Sequence, residues 1–284
     1  MKFRFSFSRL VIYGLLFLFA FIFLIPIYVL VSSSLKTFAE VQDLSQLWNP
    51  PSGFYLESFR SAWFGVPEKG LRGLAQNLLN SFYLTVPATI ISSLLGSLNG
   101  YVFSKWRFKG SNIIFPLMLF GMFIPYQSIL IPLTQTLARV GLGGTLWGLI
   151  LVHVVYGIPI TTLIFRNYYA EVPIEMIEAA RIDGAGIFGV YARILFPLSI
   201  PGFVVVIIWQ FTNIWNEFLF AVSILQKAEL QPITVALRNL SGSQIKEWNL
   251  VMAGAVIAAL PTLIIYIVMS RYFIRGLLAG SVKG

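Results

Sequence analysis

Residues Thr145–Phe165 read TLWGLILVHVVYGIPITTLIF, 21 positions without one charged side chain. A helix rises about 1.5 Å per residue, so this run spans about 30 Å, the thickness of a bilayer's hydrocarbon core. It is too long for a soluble strand and has no period-2 alternation, which leaves a membrane-spanning helix as the reading. Five further stretches match it: Leu10–Val31, Leu78–Phe103, Ser111–Pro132, Gly202–Leu225 and Leu250–Ser270. Among all six, Glu217 is the one acidic or basic residue. Pro26, Pro87, Pro116, Pro125, Pro159 and Pro261 lie inside them, where kinks are expected. Neighbouring helices in a membrane protein can satisfy the carbonyls that proline frees. The fold predicted is all-α, a polytopic membrane protein of six transmembrane helices forming a single domain over residues 1–284.

Composition agrees. The chain is 57% hydrophobic and 11% charged, with a mean hydropathy of +0.82; soluble domains carry about 25% charged residues. With no Cys there is no disulfide framework, thiolate zinc site or iron–sulfur cluster. One His, His153, is too few for the common histidine metal sites. No Gly-Lys dipeptide occurs, which excludes a Walker-type phosphate loop and ATP hydrolysis by that route. No catalytic or metal residues are therefore assigned. The net charge of +9 fits basic loops beside a membrane better than nucleic-acid binding.

The basic residues also set an orientation. Lys2, Arg4 and Arg9 precede the first run; its length and the lack of a small-residue cleavage site argue for a retained helix over a signal peptide. Together with Lys105, Arg107, Lys109, Arg166, Arg181, Arg193, Arg271, Arg275 and Lys283 they place twelve basic residues on one side. The eight others, Lys36, Arg60, Lys69, Arg72, Arg139, Lys227, Arg238 and Lys246, are spread over longer loops on the opposite side. The positive-inside rule then puts both termini in the cytoplasm. The loop at 32–77 faces outward; its Trp48, Phe54, Tyr55, Phe59 and Trp63 read either as an interfacial aromatic belt or as a docking surface for an external partner.

The cytoplasmic loop at 166–200 is the informative connection. Pro173 suits a helix start, Glu175 falls in the first turn where the dipole favours an anion, and Gly184 can take positive φ to end it. A second short helix is expected from about Ile187 to Leu195. Periodicity alone allows a surface helix that merely joins two spans.

Glu178-Ala179-Ala180, then Gly184, then Ile194-Leu195-Phe196-Pro197 resemble the spacing of the EAA loop of ABC importer permeases, with Phe196 where the pattern prefers Leu. Tyr101-Val102-Phe103-Ser104-Lys105-Trp106-Arg107-Phe108-Lys109-Gly110 is similar to the A-Y-A-F-S-R-x-R-F-x-G stretch of the maltose-type carbohydrate permeases. Asn80-Ser81, Asp183-Gly184-Ala185 and Trp215-Asn216-Glu217-Phe218-Leu219 are also typical of that family, in particular of the six-span partner of its permease pair. The resemblance implies a sugar-importing transport subunit, not an enzyme. It implies a second permease subunit, two ATPase subunits that carry the ATP and magnesium, and an external solute-binding protein. It implies that Glu178, Ala179, Ala180, Asp183 and Gly184 couple this chain to an ATPase.

In the fifth run Gln210, Asn213 and Glu217 recur at i, i+3 and i+7, with Asn216 beside them. A polar stripe is unfavourable against lipid, so it reads either as the border of a substrate pathway or as helix–helix glue. Trp209, Trp215 and Tyr126 offer stacking faces for a sugar; His153 reads as an interhelical hydrogen bonder. Two other classes compete. An ion-gradient transporter or an intramembrane enzyme would need buried ionisable groups, of which the runs supply only Glu217 and His153. A non-sugar solute also stays open.

The orientation has a direct consequence. A cysteine placed at Ser45 reacts with an impermeant thiol reagent applied outside intact cells, and one placed at Gly186 does not. The chain has no native Cys, so each label is unique.

Overall fold

The computed structural model describes residues 7–106, 108–240 and 247–281. Lys2, Arg4, Arg107, Lys246 and Lys283 lie outside the described residues, as do the side chains of Arg271 and Arg275. In chain order the helices are α1 (Phe7–Ser34), α2 (Phe38–Gln42), α3 (Glu57–Phe64), α4 (Ala75–Lys105), α5 (Ser111–Phe120), α6 (Leu130–Arg139) and α7 (Leu146–Ala170). They continue with α8 (Ile174–Ile182), α9 (Ile187–Val190), α10 (Phe196–Leu198), α11 (Ile200–Asn216), α12 (Leu219–Ile224), α13 (Ile233–Leu240) and α14 (Trp248–Ser281). A hairpin of two-residue strands, β1 (Gly65–Val66) and β2 (Leu71–Arg72), pairs Gly65 with Arg72. Among the described residues the protein is all-α apart from that hairpin. Among them, four helices are long and apolar enough to cross a membrane, and two bent pairs bring the number to six if each pair is one span.

The bent pairs are where the expected runs depart from simple helices. The third run breaks after Phe123, and the segments on either side meet at 90°. Pro125 explains the position: a residue before proline is pushed out of the α region, and Ile124 has φ −71° and ψ 120°. At ten residues, α5 is only about 15 Å long. The fifth run is preceded by a bend of 78° between 187–198 and α11. It also ends early, because α11 stops at Asn216 and Glu217 is extended, with φ −69° and ψ 138°. Side chains bond to the backbone on both sides of the interruption. Asn213 and Asn216 donate to the carbonyls of Trp209 and Thr212 at 2.8 and 2.9 Å, and the Glu217 carboxylate accepts from the N–H groups of Phe220 and Ala221 at 2.8 and 3.2 Å.

Clustering by contacts divides the chain into two units: Gln76–Ala236 with Leu260–Gly284, and Met1–Ala75 with Leu237–Ala259. In the larger one, α4 lies against α7. A Cβ added to Gly96 would fall 2.0 Å from Thr161 Oγ1, and one on Gly100 would fall 2.7 Å from Phe165 Cβ. Thr161 uses the proximity, donating to the carbonyls of Ser92 (3.0 Å) and Gly157 (2.9 Å). At its other end α4 holds the segment after α12. Asn77 and Asn80 both donate to the Gln231 carbonyl, at 2.7 and 3.1 Å, and Ser81 Oγ accepts from Ile233 N–H at 2.8 Å.

The smaller unit contains residues 32–75 of the loop at 32–77. Lys36 is 1% exposed, and its ammonium donates to the carbonyls of Gln46 and Leu47 at 2.8 and 3.2 Å. Thr37 and Glu40 form a capping box at the start of α2, and Glu40 also accepts from Ser52 N–H at 3.0 Å. Amide donors, that of Thr37 foremost, hold the Glu40 carboxyl down from 4.5 to about 2. A depressed carboxylate stabilises its fold fully above its unfolded value and loses that contribution as pH falls through its folded one. Hydrogen-exchange protection of residues 36–52, taken relative to the intrinsic rate at each pH, is therefore expected to fall as pH drops from 4.5 to about 2. In Glu40→Gln that acid-dependent step is absent and exchange is already faster at neutral pH.

Candidate functional site

The segment with EAA-like spacing is built as a root and a tip. The helix α8 begins after Pro173 and carries Glu175 in its first turn. It closes in a Schellman motif: Gly184 N–H bonds to the Arg181 carbonyl at 3.0 Å and Ala185 N–H to the Ala180 carbonyl at 2.9 Å. Gly184 has φ +84°, and a Cβ there would meet nothing within 4 Å. Glycine is thus required by backbone conformation, not by space.

The root is apolar. Ile177 is fully buried with Tyr101, Phe165, Tyr169, Val190 and Leu195, and Ala180 packs half-buried on the same cluster. Glu178, Ala179, Asp183 and Gly184 are exposed. Of the five residues assigned to coupling, four thus share an exposed surface and Ala180 turns inward. Apolar side chains surround them at the tip: Ile182 is 87% and Phe188 75% exposed. The expected second helix, 187–195, is α9 followed by a π-helical turn, Tyr191–Leu195.

Two residues the sequence reading passed over anchor this segment. Lys105, at the end of α4, donates to the carbonyls of Val172 (2.5 Å) and Ala170 (3.4 Å), where a cation complements the C-terminus of α7. The Arg181 guanidinium lies 4.3 Å above the ring of Trp106, a cation–π contact. Lys105 and Trp106 were legible as part of a basic loop and of a family-like stretch, but nothing in their spacing says which helix end they reach.

The polar stripe of the fifth run does not form one surface. Gln210 is 4% exposed and fills the space beside Gly157, where a Cβ would lie 2.0 Å from its Nε2. Asn213 and Asn216 are exposed. Glu217 leaves their face at the helix break, where its carboxylate caps α12 and its carbonyl accepts from Thr234 Oγ1 at 2.9 Å. His153 faces that carboxylate, Nε2 to Oε2 being 3.8 Å. This is too long for a hydrogen bond, and Nε2 is buried without a hydrogen-bond partner. Of the stacking candidates, Trp215 is buried between Phe82 and Phe211, ring centroids 5.0 and 5.4 Å away, and presents no face to a solute. Tyr126 packs on Phe220 at 5.1 Å, and Trp209 is half exposed. Among the described residues no group of three or more His, Cys, Asp or Glu stands where it could hold a metal.

Residues 88–278 match the family model described as "Binding-protein-dependent transport system inner membrane component". The chain belongs to this family. A probable ABC transporter permease protein of Pyrococcus horikoshii is 50% identical over 65% of this chain and 68% of its own length. The xylose/arabinose import permease protein of Haloferax volcanii is 35% identical over 95% and 92%. The melibiose/raffinose/stachyose import permease protein of Bacillus subtilis is 31% identical over 92% and 91%. Among solved structures, a chain of a bacterial ABC transporter involved in import of the acidic polysaccharide alginate superposes with a TM-score of 0.80 at 22% identity, covering 96% of this chain and 100% of that one. The role of this permease is transport and not catalysis.

The family match takes in both the EAA-like segment and the break at Glu217. Its frame is the contact of α4 with α7, which places the root of the segment. In Gly100→Val the new side chain would meet Phe165 Cβ and the Arg166 backbone, both under 3 Å away. Overpacking of this kind costs about 1–3 kcal/mol. The permease should then insert but unfold at a lower temperature in detergent, as measured by size-exclusion recovery after heating.

Proposed function

We propose that this chain is one half of the membrane core of an ATP-driven ABC importer for a sugar or a related polyol or glycoside. In this reading each bent pair is one span. Six spans then form a single domain over 1–284, with both termini in the cytoplasm of a bacterial or archaeal cell, the loop at 32–77 outside and the loop at 166–200 inside. The partners are a second permease subunit, a paralogue, together with two ATPase subunits that carry ATP and magnesium and an external solute-binding protein.

One observation carries the coupling part: a buried root bearing an exposed, partly apolar tip. Ile182 and Phe188 are large apolar side chains left in the open beside Glu178 and Asp183. On a cytoplasmic loop such a patch calls for a protein partner. The Schellman turn at Gly184 fixes the tip as a rigid knob. Ala179 allows close approach, and Glu178 meets a basic group in the ATPase cleft. The sugar assignment is supported by the import permeases for xylose/arabinose and for melibiose/raffinose/stachyose, which this chain resembles along nearly its whole length. Asn213 and Asn216 border the pathway, with uncharged amides suited to hydroxyl groups. Gln210 and Glu217 hold the surrounding helices.

The test is co-purification and uptake with the neighbouring transporter subunits expressed together. Glu178→Lys is expected to lower ATPase recovery at least about tenfold, the equivalent of about 1.4 kcal/mol from a reversed charge at the contact. Gly184→Val is expected to abolish uptake at unchanged membrane insertion, since a β-branched residue resists φ +84°. Uptake of labelled xylose, arabinose, melibiose and raffinose by the unaltered complex tests the solute class. If both variants keep the ATPase and transport normally, the loop is only a connector.

A further inference from the structure

Four hydroxyl groups meet beneath the coupling segment, each from a different element: Ser97 in α4, Tyr169 in α7, Tyr191 in the π-helical turn, and Ser199 between α10 and α11. Tyr191 OH donates to Ser97 Oγ at 3.0 Å, Ser97 Oγ and Tyr169 OH are 2.6 Å apart, and Tyr169 OH donates to Ser199 Oγ at 3.0 Å. Ser199 Oγ then donates to the Phe196 carbonyl at 3.0 Å. With Ser97 as donor to Tyr169, each hydroxyl gives one hydrogen and the line runs in one direction to a backbone acceptor. Ser97, Tyr169 and Ser199 are fully buried. Buried hydroxyls that each find a partner fix one arrangement, because any slip leaves one of them unpaired.

The line ends at the 78° bend that separates 187–198 from α11. The neighbouring residue of α7 reaches the same bend: Tyr168 OH donates to the Leu198 carbonyl at 2.8 Å, and its ring lies against Gly202. Two successive tyrosines of one helix therefore hold two successive residues of the bend. Phe165, Phe196 and Phe203 pack beside them with ring centroids 4.5 and 5.1 Å apart. Packing alone would hold the elements together, but a bend surrounded only by flat rings can slide.

We infer that Ser97, Tyr169 and Ser199 are positioning residues for transport: they lock the bend so that the coupling segment and α11 move as one body. This rests on the proposed role of the 166–200 loop as the ATPase contact. Their hydroxyls touch neither ATPase nor solute, and they act by keeping displacement of the tip from being absorbed at Ser199.

The absence of native Cys permits a direct test on the assembled transporter. Spin labels are attached at Glu175→Cys in α8 and Trp209→Cys in α11. Their separation is measured by pulsed electron paramagnetic resonance, without nucleotide and with ATP trapped by vanadate. Unaltered hydroxyls should give one distance in both states. In Tyr169→Phe and Ser97→Ala, a second distance should appear with trapped ATP, its population raised about fivefold, as expected for the loss of one hydrogen bond. ATPase recovery should stay at the parent level, whereas Glu178→Lys removes the ATPase; the two readings therefore fail separately. Phe165→Leu alters packing in the same cluster and should not split the distance with nucleotide. Three results would overturn the inference: an unchanged distance in Tyr169→Phe, equal splitting with and without nucleotide, or the same nucleotide-dependent splitting in Phe165→Leu. Loss of the ATPase from Tyr169→Phe would also overturn it, by showing a purely structural role.

Discussion

The approach of α4 to α7 leaves no room for a methyl group at Gly96 or Gly100. Two helices this close exchange side chains with each other's backbone, as Thr161 does with Ser92. In an apolar surrounding the hydrophobic effect gives helices little reason to associate, so contact area and interhelical hydrogen bonds must do so. The glycines supply the first and the small hydroxyl residues of α4 the second. At one end of α4, Lys105 and Trp106 grip the start and finish of α8. At the other, Asn77, Asn80 and Ser81 hold the chain after α12. A single helix with small residues along one side therefore holds both the segment around α8 and the chain that follows α12.

Backbone satisfaction governs the irregular parts. A helix that stops inside a membrane must place its freed carbonyls and amides on something. At Glu217 the solution is local: one carboxylate takes the amides of Phe220 and Ala221 ahead of the break. At the bend before α11 it is tertiary: Tyr168 of α7 donates to the Leu198 carbonyl, and the Ser199 hydroxyl is bonded through Tyr169 to Ser97 of α4. The first is compact and self-contained. The second ties the bend to two other helices.

Run length and apolarity sufficed to place the long helices, because a charge-free stretch of about 20 residues has few other folds. The breaks were not legible in the same way. Hydropathy is blind to where the ladder of hydrogen bonds is interrupted, so Pro125 was read as a kink when it marks a right-angled turn. The stripe of Gln210, Asn213 and Glu217 assumed unbroken helical periodicity to 217; the helix ends at 216, which takes Glu217 off the face. In α8 the start, the acidic first turn and the glycine stop were all legible from local chemistry. That Ala180 turns inward while Ala179 stays outside was not, since only tertiary packing separates two adjacent alanines.

The break at Glu217 also fixes the electrical character of its surroundings. The one acidic group of the six apolar runs has its oxygens already committed to the amides of Phe220 and Ala221. It serves the backbone and is poorly placed to act as a counter-ion for anything passing by. What α11 leaves exposed beside it is amide, from Asn213 and Asn216, each partly engaged with its own helix. On the reading proposed above, in which Asn213 and Asn216 border the pathway, a solute there meets shallow attractions to neutral amides and no fixed charge. Keeping the charge in the architecture leaves that exposed face polar but uncharged.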